Sequence, residues 1–276
     1  MKEFFGFGGY TREAEGYMSW QHLLFVTFLM IVMIGLAVFL GIRNKGKGFK
    51  NKNKVLIWSA ILIDGFELFK IVLFCFRSKN PMGWLYDLPL FLCSIQLITI
   101  PLAAIGKDRV KEAALDFVMI FGILGAIFGT YGAAQNYGCY PVLSFDNVIS
   151  GITHSISGFV SLYIIISGMA SMRKKNILIT FEILLGVCTI AYLVNILIDY
   201  NYMFLMRDDG TPYSIFYNLV NGNGILYPLI VVGLFVLYIL IYYFVYSKVK
   251  NLISSYNKLK VIKNELEDKE IAKVTK

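Results

Sequence analysis

Residues 84–96 read WLYDLPLFLCSIQ, and this stretch decides the fold. It opens an apolar run that continues to Gly106. Within it stand a turn-favouring Asp87, a Pro89, a thiol at Cys93 and an amide at Gln96. Proline costs little in the first turn of a helix, because the N–H groups there have no intrahelical partner. The run therefore predicts one membrane helix over residues 84–105, with Pro89 near its start. Pro89 and Cys93 are four apart and Cys93 and Gln96 three apart, which predicts one shared face. Free cysteine also serves as a small buried packing residue, so the pattern alone does not make Cys93 reactive.

The surrounding composition agrees with a membrane setting. Of 276 residues, 57% are hydrophobic and 16% are charged, against about 25% charged in soluble domains. Mean hydropathy is +0.65. Stretches of about 20 apolar residues recur, each long enough for a hydrocarbon core of about 30 Å. The net charge of +8 is no nucleic-acid footprint, because the lysines sit in short loops and the tail. Cysteines 75, 93, 139 and 188 show no metal-ligand spacing, and His22 and His154 are the only histidines. No metal and no cofactor is expected.

The hydropathy pattern predicts an all-α, polytopic membrane protein with a seven-transmembrane-helix bundle. The spans fall near residues 22–42, 55–76, 84–105, 113–130, 148–169, 177–200 and 225–246. The first run is too long for the apolar core of a signal peptide and lacks a basic leader, so it is read as an uncleaved span. Gly122, Gly125 and Gly129 would let the fourth span approach its neighbours closely. The loops RNKGKGFKNKNK (43–54), GKDRVKEA (106–113) and SMRKKN (171–176) and the tail are basic, whereas the alternate loops are weakly charged or acidic. Basic short loops stay in the cytoplasm, which puts the N-terminus outside and the C-terminus inside. The expected organisation is a transmembrane domain over 1–248 and a short cytoplasmic amphipathic tail over 249–276. In that tail Leu252, Tyr256, Leu259, Ile262 and Leu266 recur at helical spacing. The tail and the basic loops would lie on the anionic inner leaflet of the cell membrane.

Ionisable residues inside spans are costly and mark functional positions. With the N-terminus outside, Asp64, Glu67 and Lys70 of the second span lie roughly 9–18 Å below the outer surface. Cys93 lies at roughly 13 Å and His154 at roughly 9–12 Å. Asn195 is near the outer end of the sixth span. This shared depth predicts a polar cavity in the outer half of the bundle. Each residue also has a plainer reading: Glu67 and Lys70 as a structural pair, Asp64 as a protonated packing carboxyl, His154 as a bonded core residue, Asn195 as glue between helices. If the layer is chemical, Cys93 is the nucleophile, His154 takes its proton, and Asn195 or Glu67 orients the imidazole.

The segment LPLFLCS (88–94) resembles the YwaF-like family of bacterial integral membrane proteins, over roughly residues 18–248. The resemblance also rests on Glu67, on His154, Ser155 and Gly158, and on Asn201, Tyr202, Phe204 and Leu205 after the sixth span. Phe91 stands where that family often carries a histidine. The family is similar to a eukaryotic transmembrane family that moves acyl chains between phospholipids through a cysteine. The resemblance implies Cys93 as acyl acceptor, His154 as base and membrane lipids as partners.

Three functions fit the residues. One is a cysteine-dependent lipid acyltransferase or hydrolase using Cys93, His154 and Asn195, with Asp64, Glu67, Lys70, Gln96, Asn201 and Tyr202 lining the cavity. Another is a transporter or small-molecule binder using Glu67, Lys70 and His154. The last is a membrane scaffold without chemistry. The seventh span has no lysine, which excludes a retinal Schiff base there.

Overall fold

The structure, a computed structural model, describes residues 2–169 and 172–274, with side chains described as far as Tyr256. Its elements are helices and short 3-10 turns, with no strand among the described residues. The helices are α1 (Trp20–Lys45), α2 (Phe49–Ser78), α3 (Gln96–Ile105), α4 (Asp108–Phe128), α5 (Ala134–Cys139), α6 (Phe145–Ile166), α7 (Ile177–Ile198), α8 (Ser214–Leu219) and α9 (Leu226–Val274). The chain divides into two compact units after Gly233. The second unit is the continuation of α9, where Tyr238 and Tyr242 pack edge to face at 6.1 Å. Leu259, Ile262 and Leu266 of the expected tail face lie outside the residues whose side chains are described.

The helix ends follow local chemistry. Ser19 caps α1 by accepting from the His22 N–H at 3.2 Å, and Ser144 caps α6 by accepting from the Asn147 N–H at 3.3 Å. Such caps satisfy N–H groups that have no intrahelical acceptor. Arg43 and Lys45 close α1, where a cation complements the helix dipole. Lys79 and Asp199 end α2 and α7 in left-handed backbone. The loops expected over 43–54 and 131–147 are shorter than their composition suggests, because α2 begins at Phe49 and α5 occupies Ala134–Cys139.

The centre of the first unit is α4 packed against α6. A Cβ at Gly122 would stand 2.7 Å from the Ser157 carbonyl oxygen, and one at Gly158 would stand 2.6 Å from Cβ of Ala126. Ser161 Oγ donates to the Met119 carbonyl at 2.7 Å. The small residues thus let two backbones meet, and the hydroxyl adds a bond between helices. On another face of α4, Asp116 accepts from the Met172 N–H at 3.0 Å and from Asn176 Nδ2 at 2.8 Å.

The third expected span needs correction. Residues 84–105 do not form one helix. A 3-10 turn covers Gly83–Tyr86, residues 87–95 are irregular or turn, and α3 starts only at Gln96. Pro89, Cys93 and Gln96 therefore do not share a helix face. The physical reason is competition for backbone groups. Proline steers Leu88 away from helical backbone. Ser94 Oγ accepts from the Phe91 N–H at 3.0 Å and donates to the Phe91 carbonyl at 3.2 Å. The Tyr202 hydroxyl accepts from the Leu88 N–H at 3.1 Å and donates to the Leu85 carbonyl at 2.5 Å. Backbone outside a helix at membrane depth persists where protein supplies such partners.

A folded N-terminal segment joins the ends of α2 and α6. Arg77 makes a two-pronged pair with Asp146, at 2.8 and 2.9 Å, and donates to the Phe5 carbonyl at 3.0 Å. The Tyr10 hydroxyl donates to the same Asp146 carboxylate. The Phe145 N–H donates to the Phe4 carbonyl at 2.9 Å, and the Val142 N–H to Glu15 Oε2 at 2.7 Å. None of these partnerships follows from local sequence periodicity.

Candidate functional site

Cys93 and His154 meet the same side of α4. A Cβ at Gly125 would stand 3.2 Å from Cβ of Cys93. A Cβ at Gly129 would stand 2.2–2.4 Å from Cε1, Nδ1 and Nε2 of His154. The imidazole therefore lies directly on the glycine, in space that any side chain would fill. Positions four apart on a helix are neighbours about 5–6 Å apart, so Cβ of Cys93 and the imidazole meet adjacent positions at the C-terminal end of α4, Gly129 being its C-cap residue. Both residues are half-buried, and His154 makes no hydrogen bond among the described residues. Gly125 and Gly129 were expected to let helices approach; what they admit here is Cys93 and an imidazole.

Charge comes from α2. Lys70 forms an ion pair with Glu67 and a second, at 3.2 Å, with Asp87 in the unwound stretch. The structural pair of Glu67 and Lys70 is thus present and is extended by Asp87, a residue whose sequence signal was only that of a turn former. Glu67 and Lys70 lie within electrostatic range of Cys93, and Lys70 within range of His154.

Asp64 is set by register. Asn53 Nδ2 donates to the Ala104 carbonyl at 2.7 Å, where α2 and α3 run antiparallel. Lys70 and Asp87 meet in the same register further along. On that register Asp64 falls level with Cys93. It also lies three turns after Asn53, within about 20° of the face that meets α3. Its Oδ1 is buried with no partner among the described residues.

Gln96 is wholly buried at the start of α3. Its N–H reaches the Cys93 carbonyl at 3.4 Å, closing a turn that holds the two residues together. Its Oε1 accepts from Thr99 Oγ1 at 3.1 Å, while Nε2 has no partner among the described residues.

Asn195 stands apart from this group. Its Nδ2 donates to the Tyr202 carbonyl at 3.0 Å and its Oδ1 accepts from the Tyr202 N–H at 2.6 Å. Both ends of the amide thus hold the loop after α7, and no hydrogen bond runs from Asn195 to His154. Asn201 shapes the same loop. It donates to the Arg207 carbonyl and to Asp209, each at 2.7 Å, and accepts from the Met206 and Arg207 N–H groups. The result drives Tyr202 fully into the interior, where its hydroxyl fastens Leu85 and Leu88. Phe91 packs on that tyrosine with ring centroids 5.0 Å apart, and also meets Tyr200 and Phe204. Asn201 and Tyr202 therefore act one step back from Cys93, by pinning the segment that carries it.

No metal-ligand group of three or more His, Cys, Asp or Glu occurs among the described residues. Among the described residues, four helical segments are long and apolar enough to cross a membrane: Trp20–Lys45, Phe145–Ile166, Lys174–Ile198 and Leu226–Tyr256. The helices α2 and α4 carry charges within their length, and α3 has only 10 residues. An all-helical chain of this hydropathy, with polar groups gathered between helices, is an integral membrane protein. The chain belongs to the TMEM164 family, whose profile matches residues 17–246. No curated protein and no solved structure matches it.

Proposed function

We propose that the protein is a thiol-dependent lipid acyltransferase or hydrolase with Cys93 as nucleophile and His154 as base. The observation that carries this reading is the seating of Cys93 against Gly125 of α4 and of His154 against Gly129, the C-cap of that helix. A base must reach its proton directly or through one water, and these adjacent positions allow that. In the first step His154 takes the thiol proton and the sulfur attacks an ester carbonyl. The lipid oxygen leaves with the proton from the imidazolium, and the acyl chain stays on sulfur as a thioester. A lysolipid hydroxyl or water then attacks that thioester, again deprotonated by His154. The resemblance to YwaF-like proteins, and through them to acyltransferases, supports the same assignment.

The bundle is read as seven crossings of the cell membrane over 1–248, with the N-terminus outside and the tail 249–276 in the cytoplasm. The irregular stretch and α3 together make the third crossing. The alternation of basic loops supports this orientation, and it opens the polar layer outward.

A thiol-reactive acyl probe tests the reading. Cys93 should acylate faster than Cys75 and Cys188, and His154→Ala should slow it in a protein that still elutes as a single species. Equal labelling of the three cysteines would overturn the enzyme. The Glu67–Lys70–Asp87 network gives the transporter reading its specific support. That reading requires an activity that survives Cys93→Ser and is lost in Glu67→Gln.

A further inference from the structure

We propose that the Gln96 carboxamide, together with the peptide N–H of Leu92 in the turn before α3, binds the carbonyl oxygen of the acyl group that Cys93 attacks. The inference rests on the acyl-transfer reading and names what that reading lacks, a group to receive the developing charge.

A buried carboxamide normally spends both ends on partners. Gln96 spends one. Thr99 Oγ1 donates to its Oε1 at 3.1 Å, which turns Nε2 away as a donor with nothing to receive it among the described residues. The turn before α3 adds another donor. Phe91 and Ile95 use their N–H groups, on Ser94 Oγ and on the Phe91 carbonyl, whereas that of Leu92 has no acceptor among the described residues. The N–H groups of Cys93 and Ser94 are directed at the cysteine sulfur itself. The N-terminus of the ten-residue α3 contributes a positive end at the same place.

The chemistry calls for that arrangement. When the Cys93 sulfur forms its bond to the carbonyl carbon, the π electron pair moves to oxygen and an oxyanion appears. It collapses by re-forming the C=O bond and expelling the lipid oxygen, which takes the proton held by His154. Donors fixed beforehand stabilise the charge without reorganising when it forms. Gln96 is uncharged, so it supplies a donor across the whole working pH range. Its backbone is joined to that of the nucleophile through the turn bond from its own N–H to the Cys93 carbonyl.

The test compares two reactions at one sulfur. Full-length protein in phospholipid nanodiscs is treated with p-nitrophenyl decanoate, which acylates through an oxyanion. It is treated separately with iodoacetamide, which alkylates by direct displacement and forms none. Modification of Cys93 is followed by site-resolved mass spectrometry. In Gln96→Met, acylation should fall about a hundredfold, while alkylation stays close to that of the unsubstituted protein. Thr99→Val keeps the donor but releases its anchor, and should slow acylation less, again sparing alkylation. If Gln96→Met does not fold, selective loss of acylation in Thr99→Val carries the proposal, and unchanged acylation there overturns it. Parallel loss of both reactions in Gln96→Met would overturn it by making Gln96 a packing residue. Unchanged acylation in Gln96→Met would overturn it too. Failure of the underlying reading looks different: unsubstituted Cys93 would alkylate and yet acylate no faster than Cys188.

Discussion

The Nζ of Lys70 stands 3.2 Å from Oδ1 of Asp87, and this contact joins the middle of α2 to the unwound stretch before Cys93. The same ammonium also pairs with Glu67. On the other side of the stretch, the Tyr202 hydroxyl holds Leu85 and Leu88. An irregular backbone is thus fixed from two directions, by an ion pair and by a phenol. Cys93 is therefore carried on a segment held by side chains of other elements instead of by helix bonds.

The first prediction concerns that ammonium. Lys70→Met leaves two part-buried carboxylates without their shared cation; breaking a fully buried pair costs about 3–5 kcal/mol, and the loss here should be smaller. Asp87→Asn should cost less, since Glu67 keeps its partner. A double-mutant cycle between Lys70→Met and Asp87→Asn, read by thermal unfolding in detergent, should show clear coupling. Additive losses would mean that the contact does not hold the segment.

Gly129→Ala is the second. The added Cβ would fall within 2.2–2.4 Å of His154 ring atoms, so the ring must move. Overpacking of this kind costs about 1–3 kcal/mol. Gly125→Ala, whose Cβ would meet Cys93 at 3.2 Å, should be milder. Acyl labelling of Cys93 should therefore drop further in Gly129→Ala than in Gly125→Ala. The reverse order would show that the imidazole position does not govern the thiol.

Much of this was legible in sequence, and the exceptions share a cause. Long apolar runs gave α1, α6, α7 and the start of α9, because hydropathy over many residues is a strong signal. Glycines at 122, 125 and 129 correctly marked a close-packing face. The stretch 87–95 misled, because its apolar composition suits a helix while its backbone bonds are taken by Ser94 and by Tyr202, 114 positions away from Leu88. Asn195 was read by depth, and depth does not say which way an amide turns. Tyr10, Arg77 and Asp146 meet across the fold, and no local pattern announces such a cluster.

That cluster supplies a pH prediction. Burial, followed by the hydrogen bond to Asp146, pushes the Tyr10 phenol up from 10.0 to about 12. The folded state therefore favours the protonated phenol. Its contribution is complete below the ordinary value and is lost as pH rises through the folded one, between about 10 and 12. A fluorophore on Glu13→Cys, in a Cys139→Ser background, should report increasing motion of the N-terminal segment across that window. Tyr10→Phe should be loose already at neutral pH and should show no alkaline step. A step of equal size in Tyr10→Phe would assign it to other tyrosines.

The last prediction decides whether the third crossing exists. A ten-residue α3 rises only about 15 Å, half of a hydrocarbon core of about 30 Å. A segment that dips in and returns to its own side would have the same composition. The bonds argue for a full crossing. Asn53, in the first turns of α2, donates to the Ala104 carbonyl at the far end of α3, and Lys111 donates to both, at 2.9 and 2.8 Å. Residues 83–105 therefore run from the C-terminal end of α2 back to the level of its start. Reporters inserted at Lys47 and Lys107 should give the same, cytosolic signal, and reporters at Asn80 and Asp209 the external one. The basic residues near Lys47 and Lys107 predict which side is which. Matching signals at Asn80 and Lys107 would make residues 83–105 re-entrant, remove one crossing, and reverse every assignment after it.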